Sequence, residues 1–152
     1  MSKMQREHKP VNFQDFRGTI TDIFVQDPKE HCSIILTHKG AVRGNHFHKL
    51  SRQCDFIVSG SFEVFSQRAG ETAVENMIVG PSDLVTWPPN VAHEFVALED
   101  SVMITFVDGV RGGENYEKDT YRLSTPLHEQ AKNQSSGTQT TDSGATISRD
   151  DV

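Results

Sequence analysis

The chain carries seven histidines in 152 residues, and two of them stand one residue apart in Arg43-Gly44-Asn45-His46-Phe47-His48-Lys49. Side chains two apart on a strand share a face, so His46 and His48 point the same way and Phe47 the other. A third, His93, lies in Trp87-Pro88-Pro89-Asn90-Val91-Ala92-His93-Glu94-Phe95, where a turn with paired prolines delivers it to the start of another strand. If the fold sets those strands side by side, three imidazoles converge. Imidazole changes charge near neutral pH and so moves protons readily. His8, His31, His38 and His128 have no comparable context.

The elements that must position these residues read as all-β. Short runs rich in β-branched and aromatic residues recur at Thr19 to Val25, Ser33 to Thr37, Asp55 to Val58, Phe62 to Ser66, Ala73 to Val79, Asp83 to Trp87, His93 to Leu98 and Val102 to Val107. Turn pairs such as Lys39-Gly40, Ser59-Gly60, Ala69-Gly70 and Gly80-Pro81 separate them. No window has a long period near 3.6. Eight or more short strands close most economically as a small barrel or two-sheet jelly roll, which leaves a mouth for a ligand. From His128 the composition turns to Ser, Thr, Gln and Asp with no aromatic residue. Residues 128–152 are therefore expected to form a disordered polar tail behind one domain, residues 1–127.

The formal charge of −6 argues against a nucleic-acid polymer as partner, which needs clustered Lys and Arg. A locally positive pocket in an acidic domain remains compatible with a nucleotide. No stretch approaches the roughly 20 apolar residues of a membrane span, and the first ten residues lack the apolar centre of a secretory signal. Cys32 and Cys54 are read as free thiols. A cytoplasmic location is expected.

The two histidine segments resemble the two cupin motifs, with Gly44, His46, His48 and Gly60 in the first and Gly80, Pro88, Asn90 and His93 in the second. The resemblance implies a cupin β-barrel with the site inside its mouth. Metal-binding cupins carry a Glu where this chain has Gln53, and a neutral amide compensates a divalent cation less well. No cofactor is therefore favoured. The alternative is Zn, Ni or Fe at His46, His48, Gln53 and His93, since imidazole suits those ions.

The Gln, with His-x-His-Lys before it and Arg-Gly further upstream, is similar to the cupin sugar-nucleotide 3,4-ketoisomerases that act on dTDP-4-keto-6-deoxyglucose. Asp15-Phe16-Arg17-Gly18-Thr19-Ile20 resembles the opening of that group and of related nucleotide-sugar epimerases. The stretch from Asp108 to Leu123 lies where those enzymes carry an acidic, Tyr-containing segment, although Arg111-Gly112-Gly113 is an insertion. The resemblance implies an isomerase moving a carbonyl between C4 and C3 of a hexose without a redox cofactor. His46 and His48 would be catalytic, and Arg43, Gln53, His93, Trp87 and Tyr116 would contact the nucleotide sugar. It further implies a homodimer, with an edge strand around Thr19 to Val25 needing cover. Two alternatives stay open: a metal-dependent cupin enzyme (a dioxygenase or small-molecule isomerase), and a non-catalytic sugar-binding cupin.

Overall fold

The computed structural model describes residues 3–136. Its strands are β1 Gln5–His8, β2 Phe13–Asp15, β3 Gly18–Ile20, β4 His31–Thr37, β5 Val42–Phe47, β6 Arg52–Ser59, β7 Phe62–Arg68, β8 Glu75–Val79, β9 Asp83–Trp87, β10 Val91–Ala97, β11 Ser101–Asp108 and β12 Tyr121–Arg122. A short helix, α1, spans Gly113–Lys118. Two five-stranded antiparallel sheets, ordered β1-β9-β6-β11-β4 and β12-β5-β10-β7-β8, face each other as a cupin-like sandwich, and β2 and β3 form a separate hairpin. No helix among the described residues is long and apolar enough to cross a membrane.

Alternation along the strands decides what lies between the sheets. On β11, Ser101, Met103, Thr105 and Val107 are buried while the residues between them are half-buried. Ile57, Phe62, Val64, Val79, Val85, Phe95 and Met103 fill most of the interior, with Phe62 edge-on to Phe95 at 5.6 Å between ring centres. The inward positions nearer the other end of these strands carry Gln53, Asp55, Trp87 and His93, all buried. The interior thus grades from an apolar plug into a polar mouth.

The expected strand Asp83 to Trp87 coincides with β9. The expected run Thr19 to Val25 does not: β3 stops at Ile20, and Ile23 and Phe24 pack onto the outer-face cluster of Cys54, Phe56 and Leu84. Apolar spacing there serves a covering loop instead of a sheet. The first strand pairs with β9 of its own chain, from Gln5 opposite Thr86 to His8 opposite Asp83.

The boundary of the expected tail also moves. Residues 127–136 are helical and pack on the outer face of the second sheet, where Leu127 is fully buried beside Phe65 and Ala92. Glu94, itself 0% exposed, receives the helix start: the backbone N–H groups of Leu127 and His128 donate to its carboxylate at 3.1 and 3.0 Å, and the His128 ring contacts it at 2.5 Å. A carboxylate at a helix N-terminus meets unpaired N–H groups and the positive end of the dipole. Residues 137–152 of the expected tail lie outside the described residues.

Candidate active site in the sandwich mouth

The second sheet brings the two histidine segments together because β5 pairs with β10, His46 opposite His93. The register then shifts, with Glu94 opposite Gly44, so Asn45 is an extra residue on β5. Gly44 (φ 88°) and Asn45 (φ 63°) both take left-handed backbone conformations to form this bulge. A Cβ on Gly44 would lie 2.6 Å from the His93 carbonyl oxygen, so glycine is what lets the strands close over the site. His48 follows just beyond the end of β5, and the expected shared face holds: its ring centre is 4.9 Å from that of His46. His93 lies 4.8 and 5.4 Å from the same two rings.

Each imidazole has a distinct environment. His48 Nδ1 meets the Asp119 carbonyl oxygen at 2.8 Å. A carbonyl only accepts, so Nδ1 carries a proton, and in the neutral ring Nε2 holds the lone pair. His46 Nε2 lies 3.3 Å from the Tyr116 hydroxyl. Burial above all, then the repulsion His46 would feel from a protonated His48 and from Arg122 and Arg111, pushes its pKa down to about 4. His93 is 1% exposed against the Trp87 ring, and neither of its ring nitrogens makes a well-formed hydrogen bond. Burial, then His46 and His48, hold its pKa well below the usual range. His46 and His93 are therefore neutral bases at pH 7.

The cavity in front of them measures about 560 Å³ and includes Arg43, Gln53, Arg111, Tyr116 and Arg122 in its lining, with no Asp or Glu. The Arg111 guanidinium lies over the Tyr116 ring at 5.0 Å, and Arg122 is paired through both nitrogens with Glu117 at 2.7 and 2.9 Å. Arg43 uses Nε and Nη2 on Thr37 and the Leu36 carbonyl of β4. Of the residues expected from the sequence, His46, His93, Arg43, Gln53 and Tyr116 line this space. His48 stands beside it, 5.7 Å from the Tyr116 ring. Trp87 does not line it: the ring is 1% exposed beneath His93, and its indole N–H donates to Asp55 at 2.8 Å, so it supports the site from below. Lys49 lies over the exposed Tyr121 ring.

Four participants escape sequence reasoning: Arg111, Arg122, Asp55 and Asp119. Asp119 caps α1 and holds it over the histidines. Its carboxylate accepts from the backbone N–H groups of Lys49, Leu50 and Ser51 and from the Ser51 hydroxyl, at 2.9 to 3.2 Å. Burial alone would raise its pKa, but these donors outweigh it and hold the group below the usual carboxylate range. The one sequence signal is acidity within the Asp108 to Leu123 segment, which does not single out this residue.

The three imidazoles place nitrogens within 4.8 Å of one another. A tetrahedral cation with bonds of about 2.0–2.1 Å needs them closer than that. In donor type the set fits Zn, Ni or Fe, with the unbonded His93 nitrogens available.

No curated protein matches the chain. Among solved structures, the QdtA 3,4-ketoisomerase from Thermoanaerobacterium thermosaccharolyticum in complex with TDP superposes with a TM-score of 0.66 at 19% identity, over 86% of this chain and 96% of the other. The dTDP-4-dehydrorhamnose 3,5-epimerase from Sulfolobus tokodaii gives 0.65 at 21% identity over 81% and 83%. The 3'-monoepimerase ChmJ from Streptomyces bikiniensis, in complex with dTDP-quinovose, gives 0.68 at 14% over 79% and 69%. These likenesses establish the shared cupin-like fold. The family model described as polysaccharide biosynthesis C-terminal domain matches residues 13–121, well over half of the sequence, and the chain belongs to that family.

Proposed function

We propose that the protein is an isomerase or epimerase acting on a nucleotide-activated keto sugar, of the dTDP-4-keto-6-deoxyhexose type, by histidine-mediated proton transfer. The observation that carries this is the cavity itself: three arginines and no carboxylate line it, together with neutral imidazoles and a tyrosine hydroxyl. Guanidinium groups pair with diphosphate oxygens, often through two parallel hydrogen bonds. A base already neutral at pH 7 can remove the acidic proton beside a ketone, and a well-placed base contributes about 10² to 10⁴ in rate. The shared fold with enzymes named for dTDP sugars supports the same substrate class.

In the ketoisomerase form, His46 takes the proton from C3 as the electron pair moves onto the C4 oxygen to give an enediolate, the proton of the C3 hydroxyl passes to the C4 oxygen, and a proton returns to C4 as the C3 oxygen becomes the carbonyl. His48 Nε2 is a second acceptor on the same side of the cavity. Tyr116 and Arg111 lie where charge on oxygen can be stabilised. The enzyme is restored to its starting protonation state, and no redox partner enters. A cation at His46, His48 and His93 would add polarisation of the sugar carbonyl, a second reading favoured by the unbonded His93 nitrogens.

Incubation with dTDP-4-keto-6-deoxyglucose in D₂O should place deuterium at the carbons beside the carbonyl, and His46→Asn should slow this at least 100-fold. Tight binding of the nucleotide sugar with no deuterium uptake would leave a binding module instead. We also propose a homodimer, supported by apolar side chains left open on the hairpin and on β4: Phe13, Phe16, Ile20, Ile34 and Leu36 are all exposed.

A further inference from the structure

Asp55 lies on β6 two residues from Gln53, faces the sandwich interior and is 0% exposed. Every partner it has is a donor. Trp87 Nε1 reaches it at 2.8 Å, Thr105 Oγ1 at 2.5 Å, and Gln53 Nε2 spans both carboxylate oxygens at 2.9 and 3.2 Å. The indole can only donate, and a carboxylate can only accept. Burial pushes the Asp55 pKa up, and the Thr105, Gln53 and Trp87 donors pull the other way by meeting the lone pairs of the ionised carboxylate.

This fixes which end of the Gln53 amide is available. The nitrogen faces Asp55 and donates to it, so the carbonyl oxygen is the end of the amide turned away from Asp55 and offered to a ligand in the cavity that Gln53 lines. An acceptor repels a ketone or enolate oxygen and welcomes a hydroxyl. The geometry points to Asp55 as a positioning residue that makes Gln53 a hydroxyl-reading group, so that a sugar binds with a hydroxyl against Gln53 and its carbonyl oxygen on the side of Tyr116 and Arg111. The inference deepens the isomerase reading and rests on it for the identity of the sugar. The amide orientation stands apart from that reading.

Two measurements separate the two ideas. In the full-length protein, the Gln53 side-chain amide protons, assigned by their loss in Gln53→Glu, should be protected from solvent exchange relative to an exposed glutamine. Asp55→Asn offers an amide in place of a carboxylate oxygen, turns Gln53 around and should remove that protection. The single tryptophan gives one indole N–H signal, which should persist in Asp55→Asn if the fold is intact. Unprotected Gln53 protons in the wild type would overturn the proposal whatever the variant does. With dTDP-4-keto-6-deoxyglucose, Asp55→Asn should lower kcat/KM about tenfold or more, and thymidine diphosphate alone should bind as before. The paired exchange Gln53→Glu with Asp55→Asn restores an acceptor toward the cavity, because the amide introduced at position 55 can donate to one oxygen of the new carboxylate. It should recover most of the lost kcat/KM, whereas Gln53→Glu alone, with two carboxylates face to face, should not. A paired variant no better than Asp55→Asn would overturn the positioning role, since merely structural damage would not be repaired by a second substitution. Protection in the wild type without any deuterium uptake from the keto sugar would instead sink the isomerase reading and leave the amide orientation standing.

Discussion

Replacing Asp119 with asparagine should loosen α1 from the histidines and weaken the whole domain in a pH-dependent way. The residue is 3% exposed, and its two carboxylate oxygens face three backbone N–H groups and one hydroxyl. Asparagine keeps the shape, but it removes the charge and turns an NH₂ group toward some of these donors. Hydrogen bonds to a charged group contribute about 1.5–3 kcal/mol each, and an unmet buried donor costs about 1–3 kcal/mol. Allowing for water entering the turn, a loss of about 3 kcal/mol follows, which for a chain of this length lowers Tm by roughly 10 °C. The sign with pH is set by the depressed folded-state pKa. The stabilisation from ionised Asp119 is complete above the unfolded value of about 3.9 and fades as pH falls through the lower folded value. Urea unfolding of wild type and Asp119→Asn from pH 7 downward should show a constant gap to about pH 4 that narrows below it. A gap under about 0.5 kcal/mol at pH 7, or one that stays level at the acid end, would refute the latch. Turnover should fall as well, because α1 carries Tyr116.

Three further outcomes are expected. Because His46 is pushed down to about 4, the neutral base is lost only as pH falls through that value, so kcat/KM should stay level from pH 8 to about 5; an acid limb centred near 6.5 would exclude His46 as the base. Gly44→Ala should destabilise the protein by at least about 2 kcal/mol in thermal unfolding, since the left-handed φ and the 2.6 Å approach to the His93 carbonyl both act against a Cβ. Sedimentation should give a dimer that Phe16→Glu with Leu36→Glu dissociates, and a wild-type monomer at micromolar concentration would remove the dimer proposal.

The parts of the fold and site legible in the sequence are those where local pattern and tertiary role coincide. The strand Asp83–Trp87 announces itself by β-branched and aromatic residues between turns. His46, His48 and His93 are legible because short motifs bring their neighbours with them. β1 is hidden because Gln5, Arg6, Glu7 and His8 are all exposed on an edge and show no apolar alternation. The helix over 127–136 is hidden because Leu127 and Ala131, one turn apart, supply its apolar contacts with the sheet, too few to establish a period. Asp55 and Asp119 resemble ordinary acidic residues until distant donors meet them: Thr105 is 50 positions from Asp55, and Ser51 is 68 from Asp119. Arg111 and Arg122 acquire meaning only when α1 folds over the mouth.

The meeting of Glu94 with the helix start has a consequence for the strand that carries it. His93 and Glu94 are neighbours, one turned to the cavity and the other to the helix, and both are buried. A slip of β10 by a single residue would turn each to the opposite face, a carboxylate toward the sandwich interior and an imidazole toward the helix side. Of the two, the carboxylate is the one that can take up both helix N–H groups, so the C-terminal helix works as a key for the register of β10, and the position of His93 is proofread from the far side of the sheet.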